Sequence, residues 1–177
     1  AVKDGSLVRI LNDYRTVDLG TSVGDTKLSY AAYDGATYFT SEQYTGIIEG
    51  DAVVPFGIDA PNPRPSLSIG PGVMNKGTYQ VALTYVTIDG RESGAGLAQV
   101  IDVPESNGIA LSGIPTSSDP RVDRVRVYCS TPNGEVLYLV DEIPSGVSSH
   151  TIGDVHGGVT ALQSFNVYRA PNGHIIR

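Results

Sequence analysis

The chain has 177 residues, 40% of them hydrophobic and 18% charged, which is enough apolar material for a core and carries no signature of disorder. Its formal charge of −7 gives no electrostatic support to duplex binding or to a polybasic membrane role, and no apolar run approaches the ~20 residues that span a bilayer as a helix. A single cysteine, Cys129, excludes an internal disulfide and with it the usual frame of a small secreted domain.

The first residues, AVKDGSLV, lack the apolar run of a signal peptide. Residues 1–60 read as a β-meander. Candidate strands are Leu7–Leu11, Thr16–Leu19, Lys27–Tyr33, Ala36–Thr40, Thr45–Glu49 and Ala52–Ile58, with turns at Asn12-Asp13, Gly24-Asp25, Asp34-Gly35, Gln43-Tyr44 and Gly50-Asp51. YAAYDGATYFTS is the clearest hairpin, with tyrosines on both arms. The segment DAPNPRP (59–65) carries three prolines at alternate positions, which hold the backbone extended and prevent regular pairing. It marks the expected boundary between a domain at 1–60 and another at 61–165.

Residues 66–165 read as a β-sandwich. Strands are expected at Ser66–Ile69, Thr78–Ile88, Gly96–Val103, Ile109–Leu111, Arg124–Ser130, Val136–Glu142 and Ser149–Ile152. That count fits an immunoglobulin-like or fibronectin-like sandwich, and the lack of Trp and of a cysteine pair excludes an antibody-type domain. In GTYQVALTYVT, Tyr79, Val81, Leu83 and Tyr85 alternate with Gln80, Ala82 and Thr84, the pattern of a half-buried strand. VDRVRVYCS, the turn TPNG and EVLYLVDEI make a second hairpin, and these strands are expected at the sandwich centre. Arg124 and Arg126 alternate with Val125 and Val127, so one face is expected to be solvated; Cys129 shares the apolar face and reads as a small buried hydrophobe. The last part, 166–177, reads as the start of a further β segment: Gly157-Gly158 and Pro171-Asn172-Gly173 are turns, and Phe165–Tyr168 and His174-Ile175-Ile176 begin strands. A strand opening just before Arg177 is the pattern of a chain that continues. No stretch holds a helical period.

The run GTYQVALTYVTIDGRESGAG, then GIALSGIP, VDRVRVYCSTPNGEVLYLVDEIPSG and ALQSFNVYRAPNGHIIR, resembles a fibronectin type III-like module of bacteriophage tail-associated structural proteins. AAYDGATYFTSEQYTGIIEGDAVVPFGIDAP is similar to the propeller-like β-repeat that flanks it in such proteins. The resemblance covers roughly 27–177. It implies a non-enzymatic structural or assembly module of a phage virion, in the tail or a tail fibre, partnered by other virion proteins and forming a homo-oligomer in the assembly. Two alternatives stay open. One is a host-adhesion module binding a surface glycan or receptor. The other is an accessory domain of a secreted polysaccharide-active enzyme.

No catalytic, cofactor or metal residues are assigned. Glu42, Glu49 and Asp51 lie near the meander tyrosines but read as solvated strand and turn acids rather than a glycosidase pair. Asp141 and Glu142 are adjacent and point to opposite strand faces. His150, His156 and His174 lack zinc spacing. Asp89-Gly90 and Gly153-Asp154 supply too few oxygens in sequence for calcium and read as turns. The one contact surface singled out is the tyrosine set Tyr30, Tyr33, Tyr38 and Tyr44, with cross-strand aromatic packing as the plainer account.

Overall fold

The computed structural model describes residues 1–33, 35–155 and 160–162. Asp34, His156, the Gly157-Gly158 turn and all expectations placed at 163–177 lie outside the described residues. Among the described residues every regular element is a β-strand, paired antiparallel in four sheets. The chain divides into two compact units, Ala1–Gly57 and a second beginning at Ile58.

In the first unit, β1 (Val2–Lys3), β2 (Ser6–Ile10) and β3 (Thr16–Ser22) form one sheet in chain order. β4 (Ser29–Tyr33), β5 (Ala36–Thr40), β6 (Thr45–Glu49) and β7 (Ala52–Pro55) form the other. Each neighbour is the next strand in sequence because tight turns reverse the chain. Asp4 and Gly5 both hold positive φ (51° and 77°) in the two-residue turn between β1 and β2, the conformation that matches strand twist. Gly50, at φ 61°, does the same between β6 and β7. Leu7, Val23 and Phe39 are buried at the centre, with Leu19, Leu28, Tyr44, Ile48 and Val53 packed around them. Gly46, directly opposite Phe39, is a slot for aromatic rings: a Cβ there would lie 2.7 Å from the Tyr44 ring and 3.1 Å from that of Phe39.

The second unit is a β-sandwich. One sheet has the order β10 (Gln99–Val103), β9 (Gly77–Thr87), β12 (Val122–Ser130), β13 (Leu137–Pro144). The other has β14 (Ser149–Ile152), β11 (Asn107–Ser112), β8 (Ser66–Met74). β9 and β12 are central, as their apolar alternation requires. Tyr79, Val81, Leu83 and Tyr85 of β9 face Val125, Val127 and Cys129 of β12 in the core, with Ile109 and Leu111 of β11 contributing from the facing sheet. The loop between β12 and β13 folds back on β9: the Asn133 N–H donates to the Thr78 carbonyl at 2.8 Å, and the Asn133 Oδ1 accepts from the Thr78 N–H at 3.1 Å.

Two departures from the alternation reading have physical causes. The outer face of β9 and β12 is not solvated throughout. Thr84 is 0% exposed and Tyr128 1%, because Glu92 and Arg126 lie across them. And β8 runs to Met74, through Gly70-Pro71-Gly72, where turn residues had suggested an end at Ile69. Its pairing with β11 jumps from Gly70 to Met74, a bulge that accommodates the proline. Residues 59–65 pack within the second unit: Ile58, Pro61 and Pro65 are buried, and the Gln99 side chain donates to the Pro65 carbonyl.

Candidate functional site

The four tyrosines are separated by the two-residue period of their strands. Tyr30 pairs across the hairpin with Phe39, and Tyr44 stacks on Phe39 at 5.9 Å between ring centres, so both side with the buried face. Ala31 pairs with Tyr38, which puts Tyr33 and Tyr38 on the opposite face, where Tyr38 meets Phe56 edge-on at 5.9 Å. Tyr38 and Tyr44 are half-buried packing residues; Tyr30 and Tyr33 are 58% and 74% exposed. The set does not converge on one patch.

Tyr30 borders a cavity. A cleft of about 570 Å³ opens in the first unit, lined by Leu7, Val8, Ile10, Leu19, Tyr30 and Ile48 among others. Its walls are mainly aliphatic, with one aromatic ring and the Arg9 guanidinium at the border. Arg9 is engaged, to Asp51 at 2.6 Å and to the Gly50 carbonyl. A mostly apolar concavity with a few polar groups is the common form of a ligand pocket.

The acids near it do not make a catalytic pair. Glu42 lies in the β5–β6 turn and Glu49 at the far end of β6, so about 13 Å of strand backbone lies between their positions. Glycosidase carboxyls stand about 5–9.5 Å apart. Asp51 is committed to Arg9.

The densest polar cluster is in the second unit, on the outer face of β9, β12 and β13. The three side chains Arg124, Arg126 and Tyr128 share one face of β12; Glu142 and Glu92 answer them, and Asp123 also accepts from Arg124 Nε at 3.2 Å. Glu142 on β13 accepts from Arg126 Nε at 2.8 Å and from Arg124 Nη1 at 2.7 Å. Glu92, from the GRES stretch after β9, reaches over the sheet. Its Oε1 accepts from Tyr128 Oη and from Thr84 Oγ1, each at 2.6 Å, and its Oε2 meets Arg126 at 2.5 Å. Burial and then the Glu92 carboxylate push the Tyr128 hydroxyl well above the ordinary tyrosine range. Burial would lower Arg126, but hydrogen bonds to Glu142 and Glu92 outweigh it and raise the guanidinium instead. The Arg126 and Arg124 hydrogen bonds hold Glu142 below the usual carboxylate range. Chemically this is an ion-pair lattice: Glu92, Glu142 and Asp123 against two guanidiniums, with each oxygen of Glu92 and Glu142 occupied. It fixes the sheet and holds no free base. The sequence alone does not single out Glu92. The usable signal was β12 itself, since two arginines and a tyrosine on one face of a packed strand need acceptors.

Other polar residues are similarly engaged. Asp119 and Arg121 pair at 2.6 Å while largely buried, and the Arg121 hydrogen bond lowers the Asp119 carboxyl. Asp89 closes its turn on Thr87 and on Arg91 Nε, and Gly90 holds φ 83°. Asp141 bonds His150 Nε2 at 3.0 Å while Glu142 faces the arginines, so the adjacent acids do not cooperate. Among the described residues no three His, Cys, Asp or Glu side chains gather as a metal site requires. Cys129 is fully buried, and desolvation pushes its thiol up to about 12. No helix among the described residues is long and apolar enough to cross a membrane.

No family model matches the chain, and no curated protein matches it.

Proposed function

We propose that the chain is a non-enzymatic structural module of a phage virion, tail or tail-fibre associated, whose second unit is fibronectin type III-like. The virion part of the reading rests on the sequence resemblance, and strand order supports its fibronectin type III-like part. Immunoglobulin-type sandwiches pair B with E in one sheet and C with F and G in the other, with C′ added beside C in some forms. Assigning β8 to B, β9 to C, β10 to C′, β11 to E, β12 to F and β13 to G reproduces all of these neighbours. β14 then sits beyond β11, in the position of D. The four-stranded antiparallel meander β4–β7 is the shape of a propeller blade, which supports the propeller-like reading of the first unit. The engaged state of the polar clusters agrees with work done by shape. Quantitative mass spectrometry of purified particles is the test. Peptides of this chain are expected at the stoichiometry of a tail component, and their absence from intact particles rejects the proposal.

A second reading, host-surface glycan or receptor binding, is favoured by the cleft beside Tyr30. Tyr30→Ala is then expected to abolish binding on a glycan array while Tyr33→Ala retains it. Equal binding by both variants removes this reading. The accessory-domain alternative has no observation of its own in its favour.

A further inference from the structure

The outer edges of the sandwich sheets are not alike. Beyond β13 the chain adds a short pairing of its own: the Leu139 N–H donates to the Thr160 carbonyl and the Leu162 N–H to the Leu137 carbonyl, each at 2.8 Å. The β14 edge is polar, Ser-His-Thr, and His150 is tied to Asp141. The β10 edge carries the Asp102 carboxylate, which accepts from Thr78 Oγ1 at 2.6 Å. β8 has nine residues, SLSIGPGVM, and no charge. Charged side chains are the common guard of an edge strand, and β8 lacks one.

Among the described residues the β8 edge is also open at its core-facing side. Leu67 pairs with buried Leu111 and Ile69 with buried Ile109, so both side chains turn towards the core. Ile69 is nevertheless 44% exposed.

We propose that Ser66–Gly70 of β8 pairs antiparallel with the same segment of a second copy of this chain, about a two-fold axis at Ser68. The sequence is self-complementary there. With Ser68 opposite Ser68, Leu67 of each copy stands across from Ile69 of the other, giving two aliphatic cross-strand pairs on the core face and a hydroxyl pair outside. Charge selects the same place: two chains of −7 repel, and an uncharged strand is where they approach. Pro65 and Pro71 bracket the segment. A proline lacks the N–H a ladder needs, so the pairing ends after five residues and closes as a pair. The inference follows from edge accounting alone and does not depend on the virion reading.

Sedimentation velocity of the full chain, from micromolar to millimolar, tests it. The wild type is expected to move from monomer to dimer with concentration. Ser68→Lys places like charges directly opposite, and is expected to weaken association about tenfold or more while the circular dichroism melt is unchanged. Val100→Lys, on exposed β10, is expected to leave association as it was. Ser68→Cys under mild oxidation is expected to cross-link the dimer through residue 68, and it serves if the lysine variant fails to fold. A monomer at every concentration, or a dimer untouched by Ser68→Lys and not cross-linked at position 68, overturns the proposal.

Discussion

The first unit centres on three fully buried side chains, Leu7, Val23 and Phe39, while the second buries sixteen in one cluster. The difference follows from how each pairs its strands. In the first unit every strand pairing joins neighbours in sequence, so each pairing closes a short loop and costs little entropy. In the second, β8 pairs with β11 and β9 with β12, and the long separations are offset by a core that two facing sheets enclose. Local pairing gives a quickly formed unit with a thin core and an open cleft; non-local pairing gives a unit whose centre is closed on both faces. The cleft beside Tyr30 falls in the first, and the ion-pair lattice in the second.

The largest expected effect that tests this contrast is Phe39→Ala. Removing a fully buried ring that Tyr44 stacks on costs about 3–5 kcal/mol, a large loss for so small a core. Hydrogen exchange is expected to show β4–β7 losing protection while β9 and β12 keep theirs. Equal loss in both units breaks the contrast and makes the chain one cooperative body. Next is Glu92→Ala, which strips acceptors from Tyr128, Thr84 and Arg126 at once and is expected to lower the second unit's urea stability by about 1–3 kcal/mol. Adding Tyr128→Phe is expected to cost less than the sum of the two single changes; strict additivity would mean that the lattice is not a unit. The smallest effect is acid sensitivity. Glu142 and Asp119 have carboxyls held below their ordinary values, so their contribution is complete above about pH 5 and is lost as pH falls through the lowered values. The urea midpoint of the second unit is expected to drop below that pH, and Glu142→Gln with Asp119→Asn to flatten the drop.

Much of the fold was legible because turns are written in local chemistry. Ala36–Thr40, Thr45–Glu49 and Ser149–Ile152 are strands with the bounds their flanking turn residues implied. The tail of β8 was not legible, since Gly70-Pro71-Gly72 reads as a stop. Those glycines are there because backbones meet: a Cβ on Gly72 would lie 2.5 Å from the carbonyl oxygen of Gly153, a residue far along the chain and in no local pattern. β1 was too short to carry a period at all. For the candidate site, the split of the tyrosines was readable: Tyr30 and Tyr33 are three residues apart on a strand and must point oppositely. The cleft and the Glu92 lattice were not, because both depend on which strands become neighbours across the sheet.

Cys129 sits on central β12 with no exposed surface and a thiol held protonated by its surroundings. A thiol reagent added to the solution therefore finds nothing to attack until the middle of that sheet parts. The chain thus carries its own clock: the rate at which one sulfur becomes labelled counts the moments when the sandwich comes open, with no dye or engineered tag to disturb them.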